Sequence, residues 1–125
     1  MGERVLILGA SDKRDRYAHM ALMRLLAAGH RPVLVNPRLD EIEGLPVFRD
    51  LSAEPLLADG PIDTVTLYVN AAIVGHSAEA IIALGPRRVI MNPGTENADA
   101  RAKFEKAGIA VIEACTLVLL GTGQF

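Results

Sequence analysis

The chain has 125 residues, half of them apolar, with 13 Lys and Arg against 15 Asp and Glu for a formal charge of −2 at pH 7. That length suits one domain, residues 1–125, able to bury a core without staples, and the near-neutral balance argues against a nucleic-acid coat or a membrane-surface protein, both of which carry a basic excess. A single cysteine excludes an internal disulfide and a cysteine-based zinc site, and no apolar stretch nears the ~20 residues of a membrane span.

The N-terminus, Met1-Gly2-Glu3-Arg4, passes directly into a strand too short for the apolar region of a signal peptide. The expected location is therefore cytoplasmic. Val5-Leu6-Ile7-Leu8 is an unbroken apolar run, the pattern of a strand buried on both faces of a parallel sheet. It ends in Gly9-Ala10-Ser11, followed by the charged run Asp12-Lys13-Arg14-Asp15-Arg16 and a helix from Tyr17 to Ala28. Gly29 suits the left-handed position that ends a helix, and Pro32 stops it resuming. The second strand, Val33 to Val35, closes on Asn36-Pro37.

The segment Arg38 to Arg49 is polar and turn-rich, with a short strand at Pro46-Val47-Phe48. Leu51 to Asp59 is a weak helix interrupted by Pro55. Ile62 to Val69 is the strongest strand signal, dense in β-branched and aromatic residues. A helix over Ala72–Leu84 stops at Gly85-Pro86, and a strand over Arg88–Met91 ends in Asn92-Pro93-Gly94. An amphipathic helix over Asn97–Ala107 ends at Gly108 before the last strand, Ile109 to Ile112. The apolar tail, Thr116 to Leu120, fits a short helix or a packed extension. It is too apolar to lie fully exposed, so it packs on the core or on a second copy, and a homodimer is the favoured assembly.

Alternating strands and helices with near-continuous apolar strands predict a Rossmann-like, doubly wound α/β fold. Its sheet is mainly parallel, with five to six strands and helices on both faces. Reversal of strand order after the first strand puts a crevice at the carboxyl ends of the strands, between the first strand and Ile62–Val69. Gly9-Ala10-Ser11, Asn36-Pro37-Arg38, Asn70-Ala71 and Asn92-Pro93-Gly94 all fall on that edge.

An apolar strand that ends in glycine and opens a helix presents N–H groups to phosphate, although the full G-x-G-x-x-G spacing is missing. Where an NAD site carries an acid after the second strand, this chain reads Asn36-Pro37-Arg38. A guanidinium in place of a carboxylate favours a phosphorylated ribose, as in NADP or coenzyme A. Lys13, Arg14 and Arg16 add positive charge beside the loop, interleaved with Asp12 and Asp15.

Several of these segments resemble the stand-alone CoA-binding domain proteins, which are similar to the CoA-binding domain of the succinyl-CoA synthetase α subunit. The resemblance runs through Gly9-Ala10-Ser11, Tyr17, Val35-Asn36-Pro37-Arg38 and Gly44-Leu45-Pro46-Val47. It continues through Tyr68-Val69-Asn70, Met91-Asn92-Pro93-Gly94-Thr95-Glu96 and Glu113-Ala114-Cys115, essentially the whole chain. It implies coenzyme A or an acyl-CoA as ligand, with Gly9, Ala10 and Ser11 at the phosphates and Asn36, Pro37 and Arg38 near the adenosine end. Asn70 and Ala71 would lie beside the pantetheine arm, and Asn92, Pro93 and Gly94 would close the far side. Many relatives carry Ser or Pro beside the helix-opening Tyr, where this chain has Arg16 and Ala18. Relatives in larger enzymes also place a catalytic His in a separate domain that this sequence lacks.

No nucleophile, base and orienter assemble from sequence. His19, His30 and His76 are far apart and lack metal-ligand spacing, so each reads as surface or satisfied structure. Glu96 suits a helix N-terminus, Glu113 has no acid partner, and Ser11 lacks a nucleophile-elbow pattern. Cys115 reads as an inert small hydrophobe; the sharper alternative is a mixed disulfide with the CoA thiol at the crevice edge. Three functions stay open: a non-catalytic CoA or acyl-CoA binder, an NADP-dependent oxidoreductase or dinucleotide sensor, and a partner-binding domain with a vestigial crevice.

Overall fold

Strand β1 (Arg4–Leu8) is buried along its whole length, because it runs down the middle of a seven-stranded sheet. The sheet comes from a computed structural model that describes residues 2–125; Met1, the first residue of the N-terminal reading, lies outside the described residues. In chain order the other strands are β2 (Arg31–Val35), β3 (Glu41–Ile42), β4 (Leu45–Phe48), β5 (Thr64–Leu67), β6 (Arg88–Met91) and β7 (Ala110–Glu113). The helices between and after them are α1 (Tyr17–Ala27), α2 (Ala53–Leu57), α3 (Ala71–Leu84), α4 (Ala98–Lys106) and α5 (Thr116–Gly121). Strand order is β3-β4-β2-β1-β5-β6-β7. Every neighbouring pair is parallel except β3 with β4.

β1 pairs with β2 on one side and with β5 on the other. The chain runs outward from β1 through β2 to the β3–β4 hairpin and then crosses back to β5 on the other side of β1, so the crevice opens between β1 and β5 at their carboxyl ends, as the punctuation of the loops predicts. The unbroken apolar runs are explained by two cores. Leu6 and Leu8 join Val33, Val65, Val89 and Phe104 on one face, where α2, α3 and α4 pack. Val5 and Ile7 turn the other way, toward Ala18, Leu22 and Leu25 of α1, and α5 packs beside α1. Period-two alternation with both faces covered leaves room only for apolar residues or for small polar ones that are hydrogen-bonded, as Thr64 and Thr66 of β5 are.

Two elements differ from the sequence reading, and the tail takes the helical one of its two expected forms. The polar segment after β2 contains an extra strand, β3, which brings the count to seven rather than five to six. It forms because Glu43 and Gly44 both take positive φ, +51° and +77°, and so make a tight turn whose twist matches an antiparallel hairpin. Glutamate is an uncommon residue there, so the turn is hard to see in the sequence. The strong strand is only Thr64–Leu67; Tyr68 N still donates to the Leu8 carbonyl at 2.8 Å, while Tyr68 and Val69 line the crevice. The apolar tail is the helix α5, with Thr116 fully buried.

Candidate functional site

The carboxyl edge of the sheet carries two adjoining cavities of about 480 Å³ each, and Tyr17 and Tyr68 line both. The first is walled by the loop after β1, the start of α1 and the loop after β2. It brings together Gly9, Ala10, Ser11, Lys13, Arg16, Asn36 and Arg38. The second lies beyond β5 and collects Asn70, Asn92, Pro93 and Gly94, with Val69, Thr95 and Cys115. The two tyrosines form the sill between them.

Twelve of the fifteen sequence-predicted binding residues therefore line this groove. Arg14 does not: it lines a separate pocket with His19, Arg24 and Glu43. Pro37 shapes an exposed turn and lines neither cavity. Ala71 begins α3 and contributes its carbonyl to Asn97 Nδ2 (2.8 Å) rather than to the groove.

The glycine loop does not work as expected. The Gly9 and Ala10 N–H groups both donate to the Val35 carbonyl, each at 3.1 Å, so neither is free for a phosphate. Gly9 is required for another reason: its φ is +90°, and a Cβ there would stand 2.5 Å from the Tyr68 carbonyl oxygen. The open donors lie at the next step of the chain. Helix α1 has no side-chain cap at Arg16 and no acid in its first turn, while α3 and α4 are capped by Asn70 and Asn97. Among the described residues the Tyr17 and Ala18 N–H groups have no acceptor, and both residues line the first cavity. An uncapped helix start carries unmet donors and the positive end of the helix dipole.

Charge follows the same division. Lys13, Arg16 and Arg38 surround the first cavity, and among the described residues none of them pairs with a carboxylate. Asp12 is the one acid on its lining. The second cavity has no ionised side chain of Lys, Arg, Asp or Glu on its lining. One half suits phosphates, and the other suits a long, weakly polar arm ending near a thiol.

The predicted asparagines act as brackets. Asn36 Nδ2 donates to the Ala10 carbonyl (2.7 Å), and its Oδ1 accepts from Arg38 N (2.8 Å), which ties the first two loops together. Asn70 Oδ1 accepts from Ile73 N at 2.9 Å and caps α3. Asn92 is almost fully buried: its Nδ2 donates to Thr66 Oγ1 and the Leu67 carbonyl, both 2.7 Å, and its Oδ1 accepts from Thr116 N at 2.9 Å. These side chains shape the groove instead of offering their amides to it.

Tyr68 was not singled out as a binding residue, although it stands at the end of the strongest strand, where a doubly wound fold presents its ligand face. Its phenol oxygen is buried without a hydrogen-bond partner. Burial pushes its pKa up to about 12, against the opposing pull of the Thr116 and Thr66 hydroxyls. The phenol therefore stays neutral and packs as an aromatic wall. Cys115 is half-buried at the edge of the second cavity. Of the histidines, His19 pairs with Glu43, His30 Nδ1 accepts from Glu3 N (3.0 Å), and His76 is exposed on α3. None of them lines the groove.

A family model described as "CoA binding domain" matches residues 3–121. The chain belongs to this CoA-binding domain family. The uncharacterized protein YneT of Bacillus subtilis (strain 168) is 28% identical over 110 residues, which is 88% of this chain and 78% of that protein. A crystal structure of an uncharacterized protein is 35% identical with a TM-score of 0.90, covering 100% of this chain and 99% of that one. A hypothetical protein from Pyrococcus horikoshii OT3 is 25% identical with a TM-score of 0.85, over 94% of this chain and 80% of that one. Membership of the family accords with the doubly wound fold, whose crevice is the groove described above.

Proposed function

We propose that this CoA-binding domain holds coenzyme A or an acyl-CoA along the groove, as a single-domain binder that does no chemistry by itself. The adenosine and its phosphates occupy the first cavity, the pantetheine arm crosses Tyr17 and Tyr68, and the thiol or thioester lies in the second cavity near Cys115. One observation carries this reading: three unpaired cations and an uncapped helix start share a cavity that opens, over two tyrosines, into an uncharged one. A dinucleotide of nicotinamide would leave the long uncharged half poorly matched. No described helix is long and apolar enough to cross a membrane, and the lone cysteine fits a reducing, cytoplasmic setting.

Isothermal titration with CoA, dephospho-CoA and NADPH tests the proposal. CoA is expected to bind and NADPH to give no heat. At a CoA concentration of 100 times Kd, the protein should gain about 2.7 kcal/mol of stability, because the ligand binds only the folded chain. Arg38→Ala should weaken CoA by about tenfold and dephospho-CoA by less than about twofold, as only CoA keeps the ribose phosphate that a guanidinium would meet. Absence of heat and of thermal shift with both CoA and acyl-CoAs would sink the reading; tight NADPH binding would replace it with the dinucleotide one.

A further inference from the structure

Helix α1 and the β3–β4 hairpin meet at one polar contact outside the groove, between a buried histidine and a glutamate at the surface. His19, in the first turn of α1, is 5% exposed, and its Nε2 donates to Glu43 Oε1 at 2.9 Å. Glu43 is the one non-glycine residue with positive φ among the described residues, at +51°. Gly or Asn fits that turn position readily, and glutamate does not. A strained backbone at a place where glycine would relieve the strain points to a role for the side chain.

The hairpin carries one wall of the first cavity. β4 joins β2 through only two pairs, Leu34 with Val47 and Val35 with Phe48, and β3 is two residues long. Between β2 and β3 runs the segment with Arg38 and Leu39, both lining that cavity. Its near end is fixed by Asn36 through Arg38 N. Its far end moves with the hairpin, because Val47 N donates to the Asp40 carbonyl at 3.0 Å. The opposite wall includes Tyr17 and Ala18, directly before His19 in the chain. The His19–Glu43 contact thus ties the two walls together at the hairpin end, as Asn36 does at the loop end.

We infer that the His19–Glu43 pair is a clasp that sets the width of the phosphate-side cavity, and hence the affinity for the nucleotide end of the ligand. The inference rests on the CoA reading above. Neither residue touches the ligand; both are positioning residues. Ile42, 2% exposed in the core, keeps the hairpin folded when the clasp is removed.

Glu43→Gly deletes the carboxylate while relieving the turn, and Glu43→Gln keeps an acceptor of the same length. Calorimetry with CoA, adenosine 3′,5′-bisphosphate and pantetheine is combined with hydrogen exchange across residues 37–48. Glu43→Gly should weaken CoA and the bisphosphate by about fivefold each (about 1 kcal/mol), leave pantetheine within about twofold, and speed exchange of the segment by at least about fivefold. Glu43→Gln should stay within about twofold of wild type throughout. Equal CoA affinity for Glu43→Gly and wild type would overturn the clasp, whatever the exchange shows. A wild-type chain that ignores CoA would instead remove the binding reading. The exchange comparison needs no ligand and would then decide the clasp alone: unchanged exchange in Glu43→Gly defeats it, and faster exchange upholds it.

Discussion

Gly9 is where backbone geometry, more than ligand chemistry, dictates the residue. Its left-handed φ of +90° is disfavoured for any side chain, and a Cβ would press on the Tyr68 carbonyl at 2.5 Å. Gly9→Ala adds both penalties, together at least about 2 kcal/mol. Because the clash pushes on Tyr68, the sill between the cavities shifts as well, and CoA affinity should fall alongside stability. Urea unfolding and calorimetry on the same variant check the two expectations. A stability within about 0.5 kcal/mol of wild type would mean that the loop yields without strain, a change at the level of ordinary surface substitutions. In the sequence the same glycine looks like a phosphate-loop residue, because the two reasons for a glycine at a strand end leave the same letter. Only the engagement of the Gly9 and Ala10 N–H groups by Val35 separates them.

Elements were legible to the extent that burial forces a pattern. Strands covered on both faces are mostly apolar, so β1 and β6 stand out by their apolar runs and β5 by its β-branched density, and the right order of the loops along the crevice follows from them. Polar side chains carry no such mark. Asn36, Asn70 and Asn92 line the groove, but nothing in a single sequence tells an amide that faces a ligand from one engaged by its own fold. Arg14 illustrates the same limit: in a charged run, the neighbours Lys13 and Arg16 line the cavity while Arg14 lines a separate pocket. Asn92 offers the sharpest test at this scale, since it joins β5, β6 and the start of α5. Asn92→Ala leaves the buried Thr116 N–H and the Leu67 carbonyl without their partner, which costs about 2–4 kcal/mol. The loss should concentrate at α5, seen as faster hydrogen exchange over residues 114–121 than over β1. Uniform destabilisation with α5 still protected would show that packing against α1, and not Asn92, holds that helix.

At the scale of the whole molecule, the fold turns one edge into two unlike cavities separated by aromatic rings. Lys13, Arg16 and Arg38 project from loops on the β2 side of the switch point, and the second cavity is built from the ends of β5 and β6 and the start of α5. A ligand that fills both must be charged at one end and extended at the other, a demand a simple nucleotide does not meet. The lone thiol makes this measurable, because alkylation of Cys115 reports on the second cavity alone. If the pantetheine arm lies there, CoA with its sulfur blocked as the acetyl thioester, so that the ligand does not consume the reagent, should at 100 times Kd slow labelling by iodoacetamide at least about tenfold, since the free form is then only about one per cent of the protein. Adenosine 3′,5′-bisphosphate at the same saturation fills only the charged cavity and should leave the rate within about twofold. Intact-mass measurements over time give both rates without a second labelling site to confuse them. Equal protection by the two ligands would mean that the cavities close together when either is filled. No protection by the acetyl thioester, at a concentration where calorimetry shows it bound, would place the arm outside the second cavity and leave Tyr17 and Tyr68 as the edge of the site instead of its sill.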